Sequence, residues 1–134
     1  MRIMLDTNIL FSAFFFPKGT VGKALDTIVS YHHIVLCSYV IEEIKRIIQK
    51  KMPHKSHDFD VFLTQLDYEY AHTPKEMDLT LYDIRDPKDY PILYSAILYN
   101  VDILLTGDAD FKATSIKHPE ILTPKEFLDD YEAV

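Results

Sequence analysis

The sequence has few of the residues that mark export, disulfide chemistry or phosphate-binding loops. Its 134 residues include one cysteine, Cys37, so no disulfide can form within the chain. No apolar run approaches the ~18–20 residues that a membrane-spanning helix needs, and Asp6 interrupts the apolar start too early for a signal peptide. Only three glycines are present, and no Gly-rich phosphate loop is recognisable. We therefore expect a cytoplasmic protein without membrane contact.

A surplus of basic residues is also lacking, since the formal net charge is −7. Taken alone, this charge argues against a nucleic-acid-binding protein. However, residues 45–57 hold five of the 14 Lys and Arg residues and no acid, which leaves −12 on the rest of the chain. This basic strip is either the solvated end of a helix or a phosphate-contacting surface. In the second case the contacts with RNA would come from Lys45, Arg46, Lys50 and Lys51.

Short apolar runs alternate with longer amphipathic segments, which favours an α/β fold with a parallel sheet. The length fits one domain over residues 1–134. Buried strands are predicted at 3–5, 34–36 and 101–105, with shorter ones at 68–71 and 121–122. Ser38 is a candidate N-cap, and the segment from Thr123 to Glu126 has the capping-box pattern of a final helix.

Two acids follow predicted strands directly: Asp6 follows the first strand and Asp108 follows the strand at 101–105. The carboxyl ends of parallel strands share one edge of a sheet, where ligand sites lie, so these acids should meet. Asp89 begins the helix that leads to the later strand, and Glu43 lies on the helix after the second strand. Taken singly, each could be a helix cap or a solvated acid, with Asp86 and Glu42 as near alternatives.

Several carboxylates at one edge would repel one another and raise each other's pKa values unless a cation lay among them. A hard divalent ion with oxygen ligands fits such a set, and it suits phosphodiester hydrolysis. The six histidines lack zinc spacing, and Cys37 has no evident activating partner.

Four segments, in order along the chain, resemble the PIN-domain family of nucleases. They are Leu5-Asp6-Thr7-Asn8-Ile9-Leu10, the segment from Ser38 through Glu43-Ile44, Asp86-Pro87-Lys88-Asp89 followed by Leu93 and Ala96, and Leu105-Thr106-Gly107-Asp108-Ala109-Asp110-Phe111. The ordered set spans nearly the whole chain. Within the family, the similarity is to the toxin-like branch related to the VapC ribonucleases of bacterial and archaeal toxin–antitoxin pairs.

This resemblance implies a three-layer α/β/α fold around a parallel sheet of about five strands. It implies a catalytic set of four acids, supporting residues beside them and a bound Mg²⁺ or Mn²⁺. The catalytic set is Asp6, Glu43, Asp89 and Asp108, and the supporting residues are Asn8, Thr106 and Asp110. The metal would be held by Asp6, Asp89 and Asp108.

The leading functional hypothesis is a metal-dependent endoribonuclease in which a metal-activated water hydrolyses RNA. The alternative is a non-catalytic PIN-like module that acts by binding protein or RNA, but the complete acidic set favours catalysis. Phosphotransfer on an aspartate ranks lower, because the acidic pair expected around the first strand is missing. A protein antitoxin and a homodimer are possible partners. The aromatic segment 11–17 is either a core-facing helix end or an exposed interface patch.

Overall fold

The computed structural model describes residues 1–131, apart from the side chain of Ala109. The prediction of one domain over residues 1–134 therefore stays a prediction, and its last three residues lie outside the described part.

The described residues form one five-stranded sheet in which every pairing is parallel. Its spatial order is β3-β2-β1-β4-β5. The central strand β1 pairs with β2 on one side and with β4 on the other, so that Met4 lies between Val35 and Leu104. The strands are β1 (Arg2–Leu5), β2 (His33–Cys37), β3 (Tyr68–Ala71), β4 (Ile103–Leu105) and β5 (Glu120–Leu122).

Helices connect the strands, as the alternating pattern predicts. They are α1 (Thr7–Phe15), α2 (Thr20–Tyr31), α3 (Ser38–Lys51), α4 (Ser56–Gln65), α5 (Tyr90–Leu98), α6 (Ala109–Lys112) and α7 (Pro124–Tyr131), with a single 3₁₀ turn at Pro53–Lys55. None of these helices is long and apolar enough to cross a membrane.

The inner strands are buried on both faces of the sheet. Consecutive residues Ile3, Met4 and Leu5 of β1 are all fully buried, although their side chains point alternately to opposite faces. Such continuous burial requires helices on each side, as in other parallel sheets. The predicted three-layer α/β/α arrangement around five parallel strands is confirmed.

Hydrogen bonds at the helix ends agree with one predicted cap and correct another. Thr123 and Glu126 form a reciprocal capping box at α7, with N–H···O distances of 3.0 and 3.1 Å. The prediction that Ser38 is the N-cap of α3 is wrong, because Cys37 occupies that position. The Oγ of Ser38 instead accepts a hydrogen bond from the backbone N–H of Thr73 at 2.8 Å.

The aromatic segment after β1 mainly packs inward as the end of α1. The ring of Phe14 lies 5.2 Å from that of Phe59 and 5.3 Å from that of Phe62, centroid to centroid, so α1 contacts α4 through aromatic edges. Phe16, just beyond the helix, is 65% exposed. The helix-end interpretation thus describes most of the segment, and Phe16 alone fits the interface alternative.

Gly22 permits the close packing of α2 against the turn that follows α1. A Cβ atom at this position would lie 1.8 Å from the backbone oxygen of Pro17, whereas at Gly19 the nearest atom would be 3.6 Å away. Backbone atoms cannot move aside as the end of a side chain can. Any side chain at position 22 would therefore clash with the backbone of Pro17, and this favours glycine there.

A Gly22→Ala substitution should destabilise the protein by about 2 kcal/mol or more, because the turn must shift to make room for the methyl group. Urea unfolding followed by circular dichroism measures this loss. Gly19→Ala, in ordinary contact, is the matched control and should change stability far less. Equal stability of the two variants would contradict the steric argument.

Candidate active site

Asp6 follows the last residue of β1 and begins α1. Its Oδ1 accepts a hydrogen bond from the backbone N–H of Ile9 at 2.8 Å, which makes Asp6 the N-cap of the helix. Its own N–H donates to the carbonyl of Leu105 on β4 at 3.2 Å. The residue is only 3% exposed. Asp6 is thus both a helix cap and an acid at the carboxyl edge of the sheet.

Thr106 joins the ends of β1 and β4. Its hydroxyl donates to Oδ2 of Asp6 and accepts from the backbone N–H of Asp108 at 3.0 Å. Its backbone N–H bonds the carbonyl of Leu122 at 2.9 Å, which ties the same point to β5. Thr106 is fully buried, so these contacts fix where Asp6 and Asp108 lie relative to each other.

Asp89, Asp108 and Asp110 form a cluster opposite Asp6. Each offers a carboxylate oxygen, and the three oxygens lie within 4.8 Å of one another. The N–H of Asp110 donates to Oδ1 of Asp108 at 2.8 Å, which orients that carboxylate. Oδ2 of Asp89 is buried and finds no hydrogen-bond partner among residues 1–131.

A cavity of about 140 Å³ brings together side chains from the start of α1, from α3, from the turn after β4 and from the segment that leads into α5. Its lining residues are Asp6, Thr7, Asn8, Glu43, Asp86, Lys88, Asp89, Ile92 and Asp108. All four acids of the predicted catalytic set therefore converge here. Glu43 lines this cavity, whereas Glu42 lines a neighbouring one.

Asp86 is the near alternative to Asp89, and the contacts of these two residues differ. Asp86 uses its Oδ1 to accept the N–H of Lys88 at 2.9 Å, which forms the turn before α5. Asp89 instead belongs to the close carboxylate cluster. Of the predicted supporting residues, Asn8 lines the cavity, Thr106 holds Asp6, and Asp110 contributes a carboxylate to the cluster.

A larger cavity, of about 420 Å³, lies near the amino ends of the strands and is lined in part by Arg2, His33 and Glu69. There the Arg2 guanidinium donates to both carboxylate oxygens of Glu69. In that pair the positive charge of Arg2 offsets the negative charge of Glu69.

Burial and mutual repulsion disfavour the charged forms of two of the acids. Burial is the main cause that raises the pKa of Asp6 to about 6, against the opposing effects of the Thr106 hydroxyl and the Ile9 N–H. Burial, and then the neighbouring Asp108 carboxylate, raise the pKa of Asp89 to about 7. Both shifts show that burial and neighbouring carboxylates destabilise the charged forms of these two acids.

The residues present fit a divalent cation. Hard cations prefer carboxylate oxygens, and Asp89 provides a buried oxygen that no donor among residues 1–131 satisfies. Each oxygen of Asp6 accepts one hydrogen bond from the protein and keeps a second lone pair that a cation can use. The carboxylates of Asp89, Asp108 and Asp110 are close enough to share one ion, and Asp6 lines the same cavity as Asp89 and Asp108.

The four predicted phosphate-contacting residues fall into different positions on α3. Arg46 and Lys50 follow Glu43 by three and seven residues and so share its helical face. Lys45 lies on another face, where its Nζ is 3.9 Å from a carboxylate oxygen of Asp60. Lys51 ends the helix.

Two residues near the acids were not predicted as site residues. Lys88 lines the acidic cavity, and Tyr39 has its pKa raised to about 12, by burial first and then by the Glu43 carboxylate. Lys88 stands directly before Asp89 in the Asp-Pro-Lys-Asp segment, and this position next to a predicted site acid could have identified it. No sequence pattern distinguished Tyr39 from an ordinary helix residue.

Comparison with known proteins agrees with this architecture. A family model described as "PIN domain" matches residues 2–110, and this confirms the resemblance predicted from the four segments. No relative among curated proteins matches the chain. A chain of the structure described as "Crystal structure of VapBC2 from Rickettsia felis bound to a DNA fragment from their promoter" has the same fold. It is 23% identical with a TM-score of 0.69, over 91% of this chain and 97% of that one.

The raised pKa values predict how the stability of the metal-free protein depends on pH. A carboxyl group whose pKa is higher in the folded than in the unfolded state stabilises the fold at low pH. That contribution is lost as the pH rises through the folded-state value. Between pH 5.5 and 8 the melting temperature without metal should therefore fall, by about 3–10 °C.

Asp89→Asn places an uncharged side chain at this position, so it should remove much of the fall in melting temperature between pH 5.5 and 8. Mn²⁺ added at pH 8 should raise the melting temperature of the unmodified protein more than that of the variant. Differential scanning calorimetry in the presence of a chelator, and then with Mn²⁺, measures both effects. A fall of the same size in the variant would show that the repulsion does not involve Asp89.

Proposed function

Because the chain belongs to the PIN-domain family, we propose that it is a metal-dependent endoribonuclease that resembles the toxin of a toxin–antitoxin pair. The observation that carries the proposal is the convergence of five carboxylates in one small region. They come from four segments of the chain and meet at the carboxyl edge of the sheet: Asp6, Glu43, Asp89, and the neighbours Asp108 and Asp110. Such crowding costs stability, and a bound cation relieves it.

The proposed cofactor is Mg²⁺ or Mn²⁺. Asp6, Asp89 and Asp108 would hold it, with Asp110 as a further carboxylate within reach, and it would supply a water of lowered pKa together with charge neutralisation on the phosphate oxygens. Thr106 bonds both Asp6 and the N–H of Asp108, and so keeps these two acids together. Glu43 lines the same cavity from α3 and would accept the proton of the attacking water.

The substrate class follows from the same geometry. The acidic cavity has a volume of about 140 Å³, which suits a backbone phosphate better than a whole nucleotide. Arg46 and Lys50 share the helical face of Glu43, and we expect them to contact phosphates on either side of the scissile one. The proposed activity is therefore RNA cleavage in the cytoplasm.

We also propose a protein antitoxin as a partner. The comparison structure contains VapBC2 bound to promoter DNA, and its fold is shared by this chain. On this chain, Phe16 is 65% exposed and Val61 is 40% exposed, so apolar surface is available on α4 and just beyond α1. A homodimer is a second proposed assembly, and sedimentation of the purified chain with and without its partner distinguishes the two.

The central test is RNA cleavage with purified protein, with Mg²⁺ or Mn²⁺ and with a chelator. Asp108→Asn should lower the rate by about 100-fold or more, because it removes the charge of a proposed metal ligand. Asp26→Asn, on the exposed surface of α2, is the matched control and should retain the activity. Full activity of Asp108→Asn, or cleavage that persists in the chelator, would contradict the proposal.

A second pair of variants tests the role of Glu43. Glu43→Gln should lower kcat by about 100-fold, as expected for the loss of a general base. Glu42→Gln, one residue away on α3, should lower kcat much less because its side chain faces a different cavity. The reverse order of effects would transfer the role to Glu42.

A further inference from the structure

A second cavity lies directly beside the acidic one, and the function proposed so far leaves it unassigned. It has a volume of about 280 Å³, and Tyr39, His72, Lys75 and Met77 are among its lining residues. The two cavities share helix α3 as a wall, since Glu42 lines the second and Glu43 lines the acidic one.

Tyr39 stands at the boundary between the two cavities. It lines the second cavity, and its hydroxyl interacts with the carboxylate of Glu43 in the acidic one. The charge of Asp86, another lining residue of the acidic cavity, also acts on this hydroxyl. The side chain is only partly buried. Part of the Tyr39 side chain is therefore accessible in the cavity next to the carboxylates.

The second cavity is held in shape by a buried network of hydroxyl groups. The N–H of Thr73 donates to Oγ of Ser38 at 2.8 Å, and the N–H of Tyr39 donates to Oγ1 of Thr73 at 3.2 Å. Ser95 of α5 donates to the same Oγ1 at 2.9 Å. The segment after β3 is thereby fixed to the start of α3, so the cavity exists before any ligand binds and little ordering is required.

The chemistry of the lining fits an unpaired nucleotide. Bases of single-stranded RNA stack on accessible aromatic rings, and this is tolerant of sequence because every base has a π face. Lys75 and His72 are exposed at the rim and can donate to a phosphate. A base that remains paired and stacked in a helix has no free face to stack on Tyr39, so the cavity suits an unpaired nucleotide.

We propose that the second cavity binds the base of an unpaired nucleotide next to the scissile phosphate, with Tyr39 as its stacking platform. The inference rests on the proposed ribonuclease function, and it makes the enzyme selective for single-stranded RNA at this position. Tyr39 is thus a substrate-binding residue, and Lys75 contacts the adjoining phosphate.

The test measures the binding of unstructured 12-nucleotide RNAs. Each RNA carries one fluorescent 2-aminopurine base, at a different position in each RNA. Ca²⁺ replaces Mg²⁺ or Mn²⁺ so that binding is measured separately from cleavage. Tyr39→Leu should weaken binding by about 5- to 100-fold, and Tyr39→Phe, which retains the ring, should weaken it far less. Stacking on Tyr39 should also change the 2-aminopurine fluorescence at one position only. Tyr31→Leu, an exposed tyrosine at the end of α2, is the control and should bind as the unmodified protein does.

An RNA with an abasic site at that position completes the cycle. The abasic RNA should bind the unmodified protein as weakly as the intact RNA binds Tyr39→Leu. The abasic site and the substitution together should weaken binding no more than either alone.

The contact of Lys75 with a phosphate is tested by salt dependence. Lys75→Ala should reduce the slope of log affinity against log salt by about 0.7, whereas Lys23→Ala should leave the slope unchanged. Circular dichroism melting of each variant verifies that it is folded.

The outcomes separate this proposal from the proposed function. If the protein cleaves RNA but Tyr39→Leu binds and cleaves normally, the nucleotide subsite is overturned and the ribonuclease stands. If binding weakens equally in Tyr39→Phe and Tyr39→Leu, the hydroxyl contact with Glu43 matters and stacking is refuted. If the unmodified protein neither binds nor cleaves any of these RNAs, both proposals fail. Binding of a protein partner then becomes the remaining explanation for the second cavity.

Discussion

The parallel pairing of β1 with β2 and β4 is the constraint on which the site depends. Because these strands run in the same direction, the residues that follow β1 and β4 emerge at one edge of the sheet. The hydroxyl of Thr106 then links Asp6 to the turn that carries Asp108. Backbone topology brings the acids together, and this one buried side chain fixes their separation.

The convergence has an energetic cost that the fold must bear. Desolvation and like charges raise the pKa values of Asp6 and Asp89, so the folded state holds protons or a cation more tightly than the unfolded chain does. Helix-capping and turn contacts offset part of the cost, since Asp6 caps α1. Asp86 similarly closes the turn before α5. Asp6 is thus structural as well as part of the candidate site, so the cap considered for it from the sequence is compatible with a role in the site.

The sequence allowed the sheet and the acidic set to be predicted because both depend on local patterns. Apolar runs bounded by turns mark buried strands, and an acid after a strand is placed by topology alone. The contacts that orient the acids were less accessible, because Asp6 follows β1 in sequence but its Oδ2 is bonded by Thr106, 100 residues away. The N-cap of α3 could not be predicted either, since Ser38 bonds Thr73, 35 residues away, instead of its own helix. Such contacts arise only when distant segments are brought together.

The net charge of −7 appeared to argue against RNA as a ligand, but the distribution of charge resolves this difficulty. The acids of the site are concentrated around a position that a divalent cation would neutralise, so the phosphate meets a locally positive centre. Around that centre Arg46 and Lys50 lie along one face of α3, and Lys88 lines the cavity itself. Under the proposed function, an acidic protein therefore binds a polyanion most strongly where the metal is bound. Its binding of RNA should depend on the cation far more steeply than that of a protein with a basic surface, and the remaining acidic surface would weaken binding elsewhere along the RNA.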